Sequence, residues 1–482
     1  MEDLEAYATR AMAASKVPGL AVTVVQDDHA VFMGGFGRRS VRHRAPVGAD
    51  TLFQLASCGK SFTAAAVGIL VDDRRLRWDD PVADHLPHFR LADPVLSAQV
   101  TVRDLLAHRT GLPGGDLLWA SGQFGRDETL RRLRFLHPTQ GLRERFQYQN
   151  LMYVVAGEVV GVTSGLGYDA FVQRRIFRPL GMRASLTNTD RLGRRRDVAE
   201  PHAEARGHIL QIPRWEDPIG SGDGSILSTA RDLVPWLRLQ LGKGSAGLVR
   251  LLRRPTFREM HTLQIPIRAG RWELDFFRVL GERRPFLGYG LGWFLMDYGG
   301  LRVVRHGGGI DGMSCVLTLV PEANLGVAVL ANRENTLLPE ALAFWIIDRS
   351  LGRPARDWNA AFLALLRRER DRRDAARRRR AATRVRGTRP SLPLRKYAGR
   401  YAEEFYGNAI VVHRRARLLL RYRRTFAGPL SHWHNRTFSF QPLRHPGMPP
   451  MLATFHLNAD GRVEALRLDV GAGDTIRFVR TP

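Results

Sequence analysis

Lysine is almost missing from this chain. Only four of the 74 basic residues are lysines (Lys16, Lys60, Lys243 and Lys396), and the other 70 are arginine. Cysteine is as scarce. Two thiols, Cys58 and Cys315, exclude a disulfide framework, and their spacing makes no metal site. No run of 18 apolar residues occurs, so no membrane-spanning helix is expected. The opening "MEDLEAYATRAMAASKVPGL" lacks the basic start and apolar core of a secretory leader. As written the chain reads as cytoplasmic, or as periplasmic or secreted if translation starts upstream. Zinc-finger spacing and aromatic RNA-binding signatures are also lacking. The formal net charge of +27 is therefore read as arginine-biased composition, with no nucleic-acid partner expected. Much of it sits in "RRERDRRDAARRRRAATRVRGTR" (Arg367 to Arg389), which reads as a solvated helix and linker.

What is present is ordinary for a folded protein. The 482 residues, 44% apolar and 25% charged, suffice for two or three domains with a sizeable core. "GLAVTVVQDDHAVFMGGFG" holds two β-branched runs around Asp27-Asp28, a hairpin signal. "SFTAAAVGILVDD" has helical apolar spacing. "TVRDLLAHRTGLP" starts a helix at Thr101 and stops it at Gly111 and Pro113, while "STARDLVPWLRLQLGKG" caps a helix with Ser228 or Thr229 and ends it near Gly242. Strands return in "LRVVRHGGG", "MSCVLTLVP" and "LGVAVLANR", followed by a helix in "LPEALAFWIIDRSLG". Strands at both ends with helices between imply one shared sheet, a helical lobe beside it and a cleft at the join. Beyond the basic helix, regularly spaced short strands and an Asp460-Gly461 turn predict a small β-barrel or sandwich. The expected boundaries are 1–355, a basic helix and linker over 356–390, and a β domain over 391–482 that adds no catalytic group.

The rare lysine at position 60 stands three residues after Ser57. On a helix that spacing puts hydroxyl and amine on one face. A desolvated amine can take a serine's proton, which a permanently charged arginine cannot. "YQN" supplies Tyr148, a phenol able to relay a proton, and Asn150, an amide able to orient a carbonyl or the lysine; the bland reading of Asn150 is a helix cap. "RHGGGIDG" supplies His306, Gly307, Gly308 and Gly309 on a strand, where glycines let backbone N–H groups approach a substrate. His306 could grip a carboxylate or polarise the site. Tyr406-Gly407-Asn408 and His445-Pro446-Gly447 copy two of these spacings inside the β tail, where no partner motif exists.

In this order, Ser-x-x-Lys, Tyr-x-Asn and His-Gly-Gly resemble the β-lactamase-related serine hydrolases, the group of penicillin-binding DD-peptidases, β-lactamases, esterases and D-aminopeptidases. "IFRPLGM", "SILSTARDL", "YGLGW" and "GVAVLANR" add to the resemblance, which runs from about residue 4 to 355. "YAGRY" and "LSHWHNRTF" resemble the uncharacterised β domain often attached to such hydrolases. The resemblance implies an α/β (α+β) fold of β-lactamase/transpeptidase type, with an antiparallel sheet flanked by helices and an all-helical lobe. It implies Ser57 as acylated nucleophile, Lys60 as its base and Tyr148 as proton donor to the leaving group. Asn150 would hold Lys60 and substrate, and the N–H groups of Ser57 and Gly309 would form the oxyanion hole. No cofactor and no metal are implied, and the partner is a small ester, amide or peptide. His306 stands where β-lactamases usually carry lysine, which tilts the expectation to an esterase or peptidase. A β-lactamase and a silent penicillin-recognising protein are the alternatives.

Three features are read as bland. Cys58 is a small buried filler. His432 and His434 fall on one strand face without a third metal ligand. Trp215 and Trp293 line either the cleft or the core.

Overall fold

The computed structural model describes residues 3–482 apart from 122, 217–218, 220–221, 284, 355, 424–425, 444–447 and 472–473. They form two compact units, Met1–Gly114 with His137–Arg367, and Gly115–Leu136 with Arg368–Pro482. Residues 115–136, inside the span read from sequence as one hydrolase domain, cluster with the C-terminal strands.

The first unit is built on a nine-stranded antiparallel sheet. The hairpin Gly19–Gln26 and His29–Ser40 turns at Asp27 and Asp28, both at positive φ (50° and 65°), as a tight two-residue hairpin turn requires. Gly19–Gln26 then pairs with Leu325–Ala331 in register Leu20↔Ala331, so the two ends of this unit do share one sheet. Leu325–Ala331 continues through Met313–Val320 to Leu301–Ile310, the strand that carries His306 to Gly309. The central strands are buried on both faces. Leu20, Val22 and Val24 join a core with Leu4–Ala14 and Leu338–Ser350. From the opposite face Thr23 donates its hydroxyl to the Ala230 carbonyl at 2.6 Å, at the start of the helix Ala230–Leu241.

The helices of the lobe centre on Lys60–Asp72, whose residues Lys60 to Leu70 are all buried. Helix signals in the sequence are honoured unevenly. Thr229 caps Ala230–Leu241, which ends at Gly242. Thr101 opens Val102–Leu106 through a capping box with Asp104, but the helix stops five residues before Gly111. Chain reversal comes earlier, at His108, with φ 55°. Among the described residues no single helix is long and apolar enough to cross a membrane.

The second unit contains a closed eight-stranded barrel, Gly399–Glu403 through Asp474–Thr481, in which first and last strands pair. Alternating burial along Gly407–Arg414 shows why it closes: one face of each strand fills an aromatic interior with Tyr401, Tyr422, Phe438, Phe455 and Phe478. Leu117 joins that core, and Arg132 donates to the Glu404 carbonyl. Gly407 has φ 79°, and a Cβ there would lie 2.4 Å from the Phe124 ring. The Tyr406-Gly407-Asn408 look-alike is thus a turn shaped to receive Phe124. The His445-Pro446-Gly447 look-alike lies outside the described residues. A bulge separates His432 from His434, and His434 Nδ1 accepts the Val385 N–H at 3.2 Å.

Candidate active site

Ser57 does not sit on the α-helix expected for it. It lies in a 3₁₀ turn, Ala56–Gly59, and the α-helix begins at Lys60. The 3₁₀ geometry serves the pair well, because residues i and i+3 eclipse in it. Two close approaches hold the turn. A Cβ on Gly308 would fall 2.2 Å from the Leu55 carbonyl oxygen, and one on Gly224 would fall 2.9 Å from the Ala56 carbonyl carbon. Only glycine at both places lets the strand Leu301–Ile310 and the loop before Ile226 clasp the turn. The Cys58 thiol, fully buried, donates to the His306 carbonyl at 3.1 Å and ties turn to strand.

Lys60 is 0% exposed. Its Nζ lies 3.0 Å from Ser57 Oγ, 2.7 Å from Asn150 Oδ1 and 2.5 Å from the Asp223 carbonyl oxygen. Two of these partners, the amide and the backbone carbonyl, are acceptors. They take two N–H bonds, and the third direction points at the serine hydroxyl. A neutral amine so held turns its lone pair to that hydroxyl. Asn150 is free for this because it is not the helix cap. Gln149 caps Asn150–Ser164 with its side-chain oxygen on the Met152 N–H.

Tyr148 lines the cleft, with the Lys60 nitrogen 5.0 Å from its ring centre. Burial pushes its phenol well above the ordinary value, and a hydrogen bond with Ser57 works against that shift. The phenol therefore holds its proton at neutral pH and is placed to give it away. His306, 1% exposed, is neutral: burial takes its imidazole down to about 3. Nδ1 donates to the Gly307 carbonyl at 2.7 Å, which leaves Nε2 to accept the Tyr289 hydroxyl at 2.9 Å. His306 therefore supplies no cation where β-lactamases usually carry lysine, and both ring nitrogens are engaged. A Cβ on Gly309 would meet nothing within 4 Å, so the strand faces open space at that residue.

All eight residues singled out by sequence fall in the first unit, around one turn and one strand. Others went unseen. His108, fully buried and held neutral chiefly by burial, sets its ring 4.2 Å from that of Tyr148, tilted by 33°. Its carbonyl accepts the Gln147 N–H at 2.8 Å, and its Nδ1 accepts the Gln149 N–H at 3.0 Å. Asp223 holds Lys60 through its backbone carbonyl, a contact that leaves no trace in side-chain chemistry, and its carboxylate charge adds to the upward shift that burial gives the Tyr148 phenol. Trp293 is fully buried, and the cavity beside Ser57 is lined instead by Trp272, which the Trp272/Phe276 spacing in "RWELDFF" could have flagged.

The beta-lactamase family model matches residues 4–349, and a model for a domain of unknown function (DUF3471) matches residues 383–480. An unguisins hydrolase from Aspergillus violaceofuscus is 30% identical over 84% of this chain and 75% of its own length. Penicillin-binding protein 4 from Amycolatopsis lactamdurans is 31% identical over 66% of this chain and 81% of its own. The octameric penicillin-binding protein homologue from Pyrococcus abyssi superposes with a TM-score of 0.65 at 24% identity, covering 99% of each chain.

Proposed function

This chain belongs to the beta-lactamase family of serine hydrolases, and on that premise we propose that it cleaves an ester or amide bond of a small molecule or peptide through an acyl-enzyme on Ser57. One observation carries the reading: the buried Lys60 nitrogen held 3.0 Å from the Ser57 hydroxyl by two acceptors. In the first half-reaction Lys60 takes the hydroxyl proton while Oγ bonds to the substrate carbonyl carbon. The carbonyl oxygen becomes an anion facing the N–H groups of Ser57 and Gly309. The intermediate collapses as the bond to the leaving oxygen or nitrogen breaks and Tyr148 protonates that atom. The proton held by Lys60 then restores the phenol. In the second half-reaction water attacks the acyl carbon, gives its proton to the same Tyr148–Lys60 pair, and Ser57 Oγ leaves with a proton.

The neutral His306 offers a β-lactam carboxylate no positive charge, which favours simple esters and amides. The relatives named for unguisins hydrolysis and for penicillin binding are consistent with acyl transfer at such a serine. Intact-mass spectrometry after treatment with a fluorophosphonate should show one adduct, and peptide mapping should place it on Ser57. Nitrophenyl acetate should be turned over faster than nitrocefin. An adduct mapped elsewhere, or none at all on folded protein, would refute the reading.

A further inference from the structure

A cavity of about 390 Å³ opens beside Ser57 and Tyr148, a volume in the range of roughly 300–1,000 Å³ that holds small ligands. Beyond the reacting groups its walls are mostly apolar, with Trp272, Phe276, Leu287, Phe294, Met296 and Leu337. Arg305 and Glu340 also reach it, but they are joined at 3.1 Å, with only 12% and 13% of their side chains exposed. A charged group entering here would have to compete with a partner already in place at low dielectric, which is costly. Glu273 adds a second carboxylate to the lining, so an anion is disfavoured further. Gly307 separates this pair from the reaction centre. A Cβ there would sit 3.7 Å from Glu340 Oε1, an ordinary contact, so the glycine leaves room rather than relieving a clash.

We propose that this cavity is the subsite for a bulky, uncharged side chain of the substrate, aromatic or branched aliphatic. The proposal rests on the serine-hydrolase reading above and adds the substrate class to it. Such a side chain removes apolar wall and ring from water together, a gain that grows with the area covered. An acetyl group covers little of it.

The side chain belongs either to the acyl part or to the leaving group, and two pairs of substrates separate these sources. The acyl pair is nitrophenyl acetate and nitrophenyl 3-phenylpropionate, with nitrophenyl hydrogen succinate as the charged control. The leaving-group pair is ethyl acetate and 2-phenylethyl acetate. In one pair the phenyl-bearing member should exceed its small counterpart in kcat/KM by about tenfold or more, the scale on which apolar pockets discriminate. The succinate should fall below the phenylpropionate. Leu287→Trp fills the cavity from a strand, so it should lower turnover of the preferred phenyl-bearing substrate far more than that of its small counterpart and erase the ratio between them. Leu337→Trp fills it from the other wall if the first variant does not fold. Hydrolysis of all substrates without a phenyl preference would overturn the subsite and leave the hydrolase reading standing. A preference that survives a folded cavity-filling variant would also overturn it. Failure to hydrolyse any of them would overturn both.

Discussion

At the scale of single residues the site is a set of short contacts, and two of them make sharp predictions. Lys60→Arg keeps positive charge and approximate length, and arginine occupies almost every other basic position of the chain. A guanidinium stays protonated, so it cannot accept the Ser57 proton. Loss of a positioned base costs about 10²- to 10⁴-fold in rate. Ester hydrolysis by Lys60→Arg should fall at least about a hundredfold while the melting temperature changes little. Near-normal turnover in the folded variant would remove Lys60 from the mechanism. His108 is the second case. It holds the peptides on both sides of Tyr148, one through its carbonyl and one through Nδ1. It does so at φ 55°, a conformation that costs a non-glycine residue about 1–3 kcal/mol and persists where surroundings enforce it. His108→Phe keeps a ring beneath the tyrosine but leaves the Gln149 N–H without its acceptor. Turnover should drop by about tenfold or more with KM nearly unchanged, because only the proton donor is displaced. His108→Asn restores an acceptor and tolerates positive φ, so it should recover much of the loss. Equal activity in both variants would reduce His108 to a filler.

At the scale of elements, the segment 115–136 contradicts its position in the chain. Its helices Asp116–Ser121 and Arg126–Arg132 belong with the barrel, with Leu117 in the barrel core and Phe124 over Gly407. A chain ending at Arg389 removes every barrel strand and with it the cover of that segment. The remaining unit keeps its sheet, the Ser57 turn and the strand of glycines, so labelling of Ser57 by a small fluorophosphonate should persist. Limited proteolysis, however, should cut the truncated chain between residues 115 and 136 at enzyme levels that spare the full-length protein. Resistance of that segment after truncation would show that it folds without the barrel.

Across the whole molecule the buried histidines set a pH dependence. Burial takes His261 and His306 down to about 3. In the unfolded chain they would titrate near the usual value of about 6.5. Their contribution to stability is complete above that value. It is lost as pH falls towards 3, because the unfolded state binds protons that the folded state refuses. Each group weakens the fold by about 1.4 kcal/mol per pH unit in that window, or roughly 3 kcal/mol by pH 4.5. His261, hydrogen-bonded to Gln240 at 3.1 Å, is not among the reacting groups. His261→Gln should therefore narrow the gap between urea midpoints measured at pH 7 and pH 4.5. An unchanged gap would mean that His261 is not held neutral in the fold.

Much of this was legible in the residues alone, for local reasons. The hairpin at Asp27-Asp28, the cap at Thr229 and the barrel's alternation are written in neighbouring side chains, where backbone preference and apolar period act directly. Ser57, Lys60, Tyr148 and Asn150 were legible because the chemistry demands those residue types, and a lysine stands out where arginine is the habit. Contacts between distant segments decided the rest. The Asp223 carbonyl and the approach of Gly308 to Leu55 are backbone relations that any residue pattern leaves open, and the clamp of His108 on both flanks of Tyr148 joins segments about forty residues apart. The neutrality of His306 follows from desolvation, which exists only once the chain has closed around the ring. The Arg305–Glu340 pair and the apolar walls beside Ser57 arise from the packing of Leu301–Ile310 against segments remote in the chain, and that packing is what makes a cavity of them.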